Sequence, residues 1–162
     1  MARTSAGLLL YRLAGQALEV LVGHMGGPFW ARKDAGAWTV LKGEAEDGED
    51  LHAAAEREAV EELGLVLPPS SGDVDLGEVR QRSGKRVVAW AREWPPPGPD
   101  LTAARSNTVA IEWPPRSGRT VDVPEIDRFA WLAPDDARRL LVPAQAAFVD
   151  RLCAAVAHAE VR

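Results

Sequence analysis

The sequence predicts an α/β fold in which a mixed β-sheet is covered by helices on both faces. Three observations carry this expectation. Short strand-like runs recur from the start of the chain to residue 132. One helical pattern interrupts them and stops at Gly64, a natural helix terminator. From Pro134 onward the chain reads as helix. No internal repeat and no second domain is signalled, so residues 1–162 are expected to form one unit.

Residues 6–11 and 18–24 read as two strands joined through Ala14, Gly15 and Gln16, apolar enough for the middle of a buried sheet. Residues 26–37 form a glycine-rich loop carrying Phe29, Trp30, Arg32 and Lys33. Loops this long inside a compact unit are often functional. Residues 38–41 are a short strand. Leu51, Ala55, Ala59 and Leu63 then recur at helical spacing up to Gly64. Pro68 to Gly72 mark a surface loop. Residues 76–81 and 86–92 read as a hairpin turning at Ser83 and Gly84. Residues 94–100, WPPPGPD, make a stiff irregular loop. Residues 107–113 are a strand, 114–119 a mobile loop with two arginines, and 128–132 the final strand. Pro134 opens a helix to residue 141, with Asp135 and Asp136 in its favourable first turn. Pro143 opens the last helix, to about residue 158.

Chemistry concentrates in one segment. Between Glu44 and Glu62 lie nine acidic residues and one arginine, a local charge of −8 in a chain of net charge −5, which leaves +3 for the remainder. At about 100° per residue, Glu58, Glu61 and Glu62 share roughly a 100° arc of the helix. Like charges so spaced weaken a helix by roughly 0.2–0.5 kcal/mol per pair. A helix wanted only for packing would interleave lysines, so the cluster suggests a bound cation. Hard oxygens suit Mg²⁺ or Mn²⁺. His24, His52, His158 and the lone Cys153 show no zinc spacing. Arg57, the one cation of the segment, is suited to hold a carboxylate through a bidentate pair. Glu49 lies eight residues before it, too far for a regular helical pair, so contact requires Glu49 to reach inward from the helix entrance.

Gly43, Glu49, Arg57, Glu58, Glu61, Glu62, Gly64 and Leu65 together resemble the Nudix box, G-x5-E-x7-R-E-U-x-E-E-x-G-U, where U is a bulky aliphatic. Ala59 is the one departure. The resemblance implies an α/β/α sandwich with a mixed sheet. It makes Glu58 and Glu62 direct metal ligands, and Glu61 a ligand directly or through water. The Lys42 carbonyl joins them, Glu49 braces Arg57, and Gly43 and Gly64 shape the chain at either end. It also implies hydrolysis of a pyrophosphate, with Mg²⁺ neutralising phosphate charge while water attacks phosphorus in line. The segment WTVLKGEAEDGE resembles W-T-x-P-K-G-H-x-E-x-G-E of asymmetrical diadenosine tetraphosphate hydrolases, with Leu41 for their Pro and Glu44 for their His. PEIDRFAWL resembles their Glu-His-x-x-x-x-Trp-Leu, with Glu125 six residues ahead of Trp131 and Ile126 for the His. That makes Glu125 a candidate general base, metal ligand or both, with Glu61 and Glu112 as competing bases. FWARKDAGAW and EWPPRSGR are similar to bacterial Nudix proteins described as predicted nucleoside triphosphate pyrophosphohydrolases.

Lys42, Arg32, Lys33, Arg116 and Arg119 are candidate phosphate contacts. For Trp30 and Trp113, stacking on a base and packing in the protein are both open; Phe29 is a further stacking candidate, and Trp38, Trp90 and Trp131 read as packing. The expected partner is therefore a nucleotide, as a dinucleoside polyphosphate or nucleoside triphosphate. The alternatives are a nucleotide sugar or inositol pyrophosphate, or a non-catalytic nucleotide-binding module. The intact box argues against the last. At 46% hydrophobic and 27% charged, the composition is that of a soluble globular protein. No membrane partner and no stable nucleic-acid complex is expected, and homodimers occur among similar proteins. One cysteine excludes an internal disulfide framework, and the opening apolar run is too short for a secretion signal, so cytoplasm is the expected compartment.

Overall fold

The computed structural model describes residues 3–15 and 17–160; Met1, Ala2, Gln16, Val161 and Arg162 of the expected 1–162 unit lie outside it. The fold is α/β with a mixed seven-stranded sheet. Its hub is β1 (Ser5–Ala14). The far half of β1 pairs antiparallel with β2 (Ala17–Met25), and Ala14 faces Ala17 across the first turn. Two short strands, β3 (Trp38–Thr39) and β4 (Leu41–Glu44), follow the long loop. β3 joins β2, and β4 pairs antiparallel with the near half of β1. After helix α1 (Leu51–Leu63) come β5 (Val74–Arg80) and β6 (Arg86–Glu93), an antiparallel pair. β6 lies parallel to β1, which makes the sheet mixed. β9 (Ile126–Leu132) adds to the outer side of β2.

Strand alternation divides the core in two. Leu8 and Leu10 of β1 face one cluster with Ala54, Ala55, Ala59 and Leu63 of α1. Leu9 faces the other, with helices α2 (Pro134–Leu140) and α3 (Ala146–Glu160) contributing Ala137, Leu140, Phe148 and Leu152. Helices therefore cover both faces of the sheet. The outer edge at β5 is partly capped: Arg151 of α3 donates to the carbonyls of Leu76 and Glu78 at 2.8 and 3.0 Å.

Three predicted elements differ. The strand expected over 38–41 is broken at Val40, whose N–H donates to the buried Gln145 Oε1 at 2.8 Å. The last helix starts at Ala146 because Pro143–Gln145 form a 3₁₀ turn that points Gln145 inward. The loop expected over 114–119 is the turn of a hairpin between β7 (Thr108–Glu112) and a strand not anticipated from sequence, β8 (Thr120–Pro124). The alternation of Val121 and Val123 was its only signal. This hairpin stands apart from the main sheet.

Candidate active site

Asp50 caps α1, accepting the Ala53 N–H at 3.0 Å. Gly64 ends it in the left-handed region at φ 70°, its N–H bonded to the Val60 carbonyl. Between these ends, Glu58 and Glu62 join the buried face, 9% and 4% exposed. Both abut β4. Glu62 Oε1 accepts the Lys42 N–H at 2.6 Å. A Cβ on Gly43 would sit 2.0 Å from Glu58 Oε2, so a larger residue there would push that carboxylate out of its place against β4.

Arg57 is the organising cation. Its Nε and Nη2 donate to Glu49 Oε2 and Oε1, both at 2.9 Å. The eight-residue spacing closes because Glu49 precedes the N-cap and is not on the helix. Arg57 Nη1 donates to Glu58 Oε1 at 2.9 Å and to Glu61 Oε1 at 3.2 Å. Its bonds to Glu49, with that of the Glu46 N–H, hold the Glu49 carboxyl down at about 2. The Arg57 guanidinium is raised in turn.

Glu58 and Glu62 open onto a cleft of about 410 Å³. Glu125 lines the same cleft from the corner between β8 and β9. Lys42, Lys85 and Trp30 also line it, with an apolar wall of Val109, Ile111 and Val123 from the hairpin. Burial pushes the Glu62 carboxyl up to about 8; the Lys42 N–H and ammonium oppose this, while Glu125 and Glu58 add to it. Burial raises Glu58 too, against the pull of Arg57. Burial and the Lys85 cation lower the Lys42 ammonium.

Glu61 departs from the expected arrangement. Its side chain is 43% exposed, bonded to Arg57 and outside the cleft lining. Among the described residues, no three His, Cys, Asp or Glu side chains converge on a single point suited to a metal. Arg57 engages Glu58 and Glu61 through one nitrogen while Glu62 turns to β4, and this divides the three glutamates. The donor chemistry still fits a hard divalent cation. Two carboxylates buried side by side, each with an elevated proton affinity, favour a bound positive charge. Glu58 and Glu62 would hold it, with Glu125 the neighbouring carboxylate in the same cleft.

The other residues singled out from sequence scatter. Trp30 lines the cleft. Lys33 Nζ lies 3.4 Å above the Phe29 ring and 5.4 Å from that of Trp30, a cation–π stack on the loop itself. Arg32 is exposed and outside the cleft lining, as are Glu112, Arg116 and Arg119; Trp113 is half-buried and also outside it. The hairpin register explains the position of Glu112 and of the turn beyond it: Thr108 pairs with Pro124 beside Glu125, and Glu112 pairs with Thr120 four rungs away. The turn is thus roughly 14 Å from that end at ~3.4 Å per residue. Lys85 is the residue sequence reasoning missed. It comes from the β5–β6 turn; β6 and β4 flank the same end of β1, and Lys85 Nζ reaches across to within 3.9 Å of Glu44 Oε1 at the end of β4.

A model of the NUDIX domain family matches residues 1–152. Solved structures agree in fold. A C. elegans Ap4A hydrolase, in a binary complex, superposes with a TM-score of 0.70 at 22% identity, over 96% of this chain and 99% of that one. The NUDIX domain of Shewanella oneidensis NrtR, complexed with ADP ribose, gives 0.63 at 13% identity, over 96% and 89%. A MutT protein from Methanosarcina mazei Go1 gives 0.60 at 18%, over 96% and 95%.

Proposed function

The chain belongs to the Nudix family of pyrophosphohydrolases, and from that premise we propose that it cleaves a phosphoanhydride bond in a dinucleoside polyphosphate or nucleoside triphosphate, with Mg²⁺ or Mn²⁺ held at Glu58 and Glu62. One observation carries this reading. A single cleft joins buried carboxylates, two lysines and an apolar wall, which match the metal, phosphate and base of a nucleotide.

The metal, when bound, supplies charge neutralisation on the phosphate oxygens. Lys42 and Lys85 hold those oxygens from two separate strands' ends. Trp30 and the wall of Ile111 and Val123 take the base. Glu125 accepts a proton from the attacking water as its oxygen bonds to phosphorus and the bond to the leaving phosphate breaks. Arg57 touches no substrate in this scheme. It fixes Glu58 and Glu61 and is itself fixed by Glu49.

The test is product analysis with Mg²⁺ across a panel of diadenosine tetraphosphate, nucleoside triphosphates, ADP-ribose and inositol pyrophosphates. ATP plus AMP from diadenosine tetraphosphate, lost in Glu62→Gln, is the expected result. Turnover confined to ADP-ribose or inositol substrates would reassign the substrate. Tight nucleotide binding without turnover, unchanged in Glu62→Gln, would make the protein a binding module.

A further inference from the structure

Residues 105–107 lie between the 3₁₀ turn Leu101–Ala103 and β7 and belong to no regular element. Several of their polar groups nonetheless reach two neighbouring elements. Toward α1, the Arg105 N–H donates to the Leu63 carbonyl at 2.9 Å and the Asn107 N–H to the Glu61 carbonyl at 3.0 Å. These are carbonyls of the last helical turn, which has no partners of its own. Gly64 allows the contact: a Cβ there would lie 2.2 Å from the Arg105 carbonyl oxygen.

Toward the β8–β9 corner, the same segment meets Glu125 and Ile126. The Asn107 carbonyl accepts the Glu125 N–H at 3.0 Å. Ser106 Oγ accepts the Ile126 N–H at 3.1 Å and lies 3.0 Å from the Ile126 carbonyl. Asn107 Nδ2 donates to Glu125 Oε1 at 3.4 Å. From the opposite side, the Gly26 N–H donates to the Glu125 carbonyl at 2.9 Å. Glu125 thus has both main-chain polar groups bonded and one carboxylate oxygen met by an amide.

We propose that Ser106 and Asn107 are a positioning strap that sets Glu125 against the exit of α1, the Asn107 amide orienting the Glu125 carboxylate toward the cleft. The proposal rests on the reading of Glu125 as the group that takes the proton. Glu125 and the helix glutamates lie far apart in sequence and on different elements, so a rigid link is needed to hold their relative placement. Asn107 supplies it in one residue, through its N–H to α1 and its carbonyl and side chain to Glu125. A 3.4 Å bond is long, but catalytic hydrogen bonds in unliganded sites commonly tighten on binding. Oriented carboxylates act through such supporting contacts.

The experiment is a double-mutant cycle on the Mg²⁺-loaded full chain with diadenosine tetraphosphate as substrate. Asn107→Leu keeps the size and both main-chain bonds and removes the side-chain amide. It should lower kcat about tenfold with KM within about twofold, in the range of lost supporting contacts. Glu125→Gln should lower kcat further, and the double variant should match Glu125→Gln alone. Asn107→Gln, which retains the donor, should recover part of the loss. If Asn107→Leu does not fold, Asn107→Ala enters the same cycle. Wild-type kcat in the Asn107 variant, or an equal further loss in both backgrounds, overturns the strap. Full activity in Glu125→Gln instead sinks the reading of Glu125 on which it stands.

Discussion

Glu62 is buried, accepts a main-chain N–H and sits near two other carboxylates, so its proton affinity matters to the whole site. Its folded carboxyl titrates at about 8, above the ordinary 4.5. Between those values the folded protein keeps a proton the unfolded chain has lost. Metal-free stability contributed by this group is therefore full below pH ~4.5 and is lost as pH rises through about 8. Urea denaturation in chelator should show that decline, and Glu62→Gln should flatten it. Glu125→Gln should cost about 100-fold in kcat if it is the base, the usual worth of a positioned proton acceptor. Lys85→Ala should raise KM about tenfold, the value of one charge-assisted hydrogen bond of ~1.5 kcal/mol, with kcat little changed. Steady-state kinetics check both. The carboxylates of the box were legible in the sequence because they crowd one short helix. Lys85 was not, because nothing local distinguishes it from a turn lysine.

Helix α1 must keep its place for Glu58 and Glu62 to face β4, and a buried ionic cluster fastens its outer side. Asp73, just before β5, accepts from Arg92 of β6 at 2.9 and 2.7 Å and lies 2.6 Å from His52 Nε2 of α1. Arg92 also reaches Glu56 of α1 at 2.9 Å. Arg92 and Asp73 are 3% and 5% exposed. Burial alone would raise the Asp73 carboxyl, but the bonds from Arg92, His52 and Ser70 outweigh it and hold it at about 2. The sign is opposite to that of Glu62. Stability from Asp73 is present above the ordinary carboxyl range near 3.8 and is lost as pH falls toward about 2. Asp73→Ala leaves a buried guanidinium without its main partner and should destabilise by about 3–5 kcal/mol, measured by urea unfolding at pH 7. The limits of α1 could be read from Asp50 and Gly64. The cluster could not, since its members come from three separated stretches of chain.

Divalent metal should stabilise the molecule as a whole, because a ligand that binds the folded chain alone shifts unfolding by mass action. Mg²⁺ or Mn²⁺ should raise Tm, and Glu58→Gln/Glu62→Gln should abolish the shift; persistence of the shift would move the metal elsewhere. The α/β class, the acidic helix, the Glu49–Arg57 pairing at its entrance and the family were all legible in the chain alone, because each depends on periodicity, end signals or spacing within about twenty residues. Long-range contacts settled the rest. Gln145 breaks a strand more than a hundred positions away, the β7–β8 hairpin walls the cleft, and sheet order brings Lys85 beside Lys42. Arg57 and β4 split the three glutamates, leaving Glu61 at the surface. Local rules state which groups a segment carries. Which of them meet depends on the packing of distant segments, and no pattern within one segment encodes that.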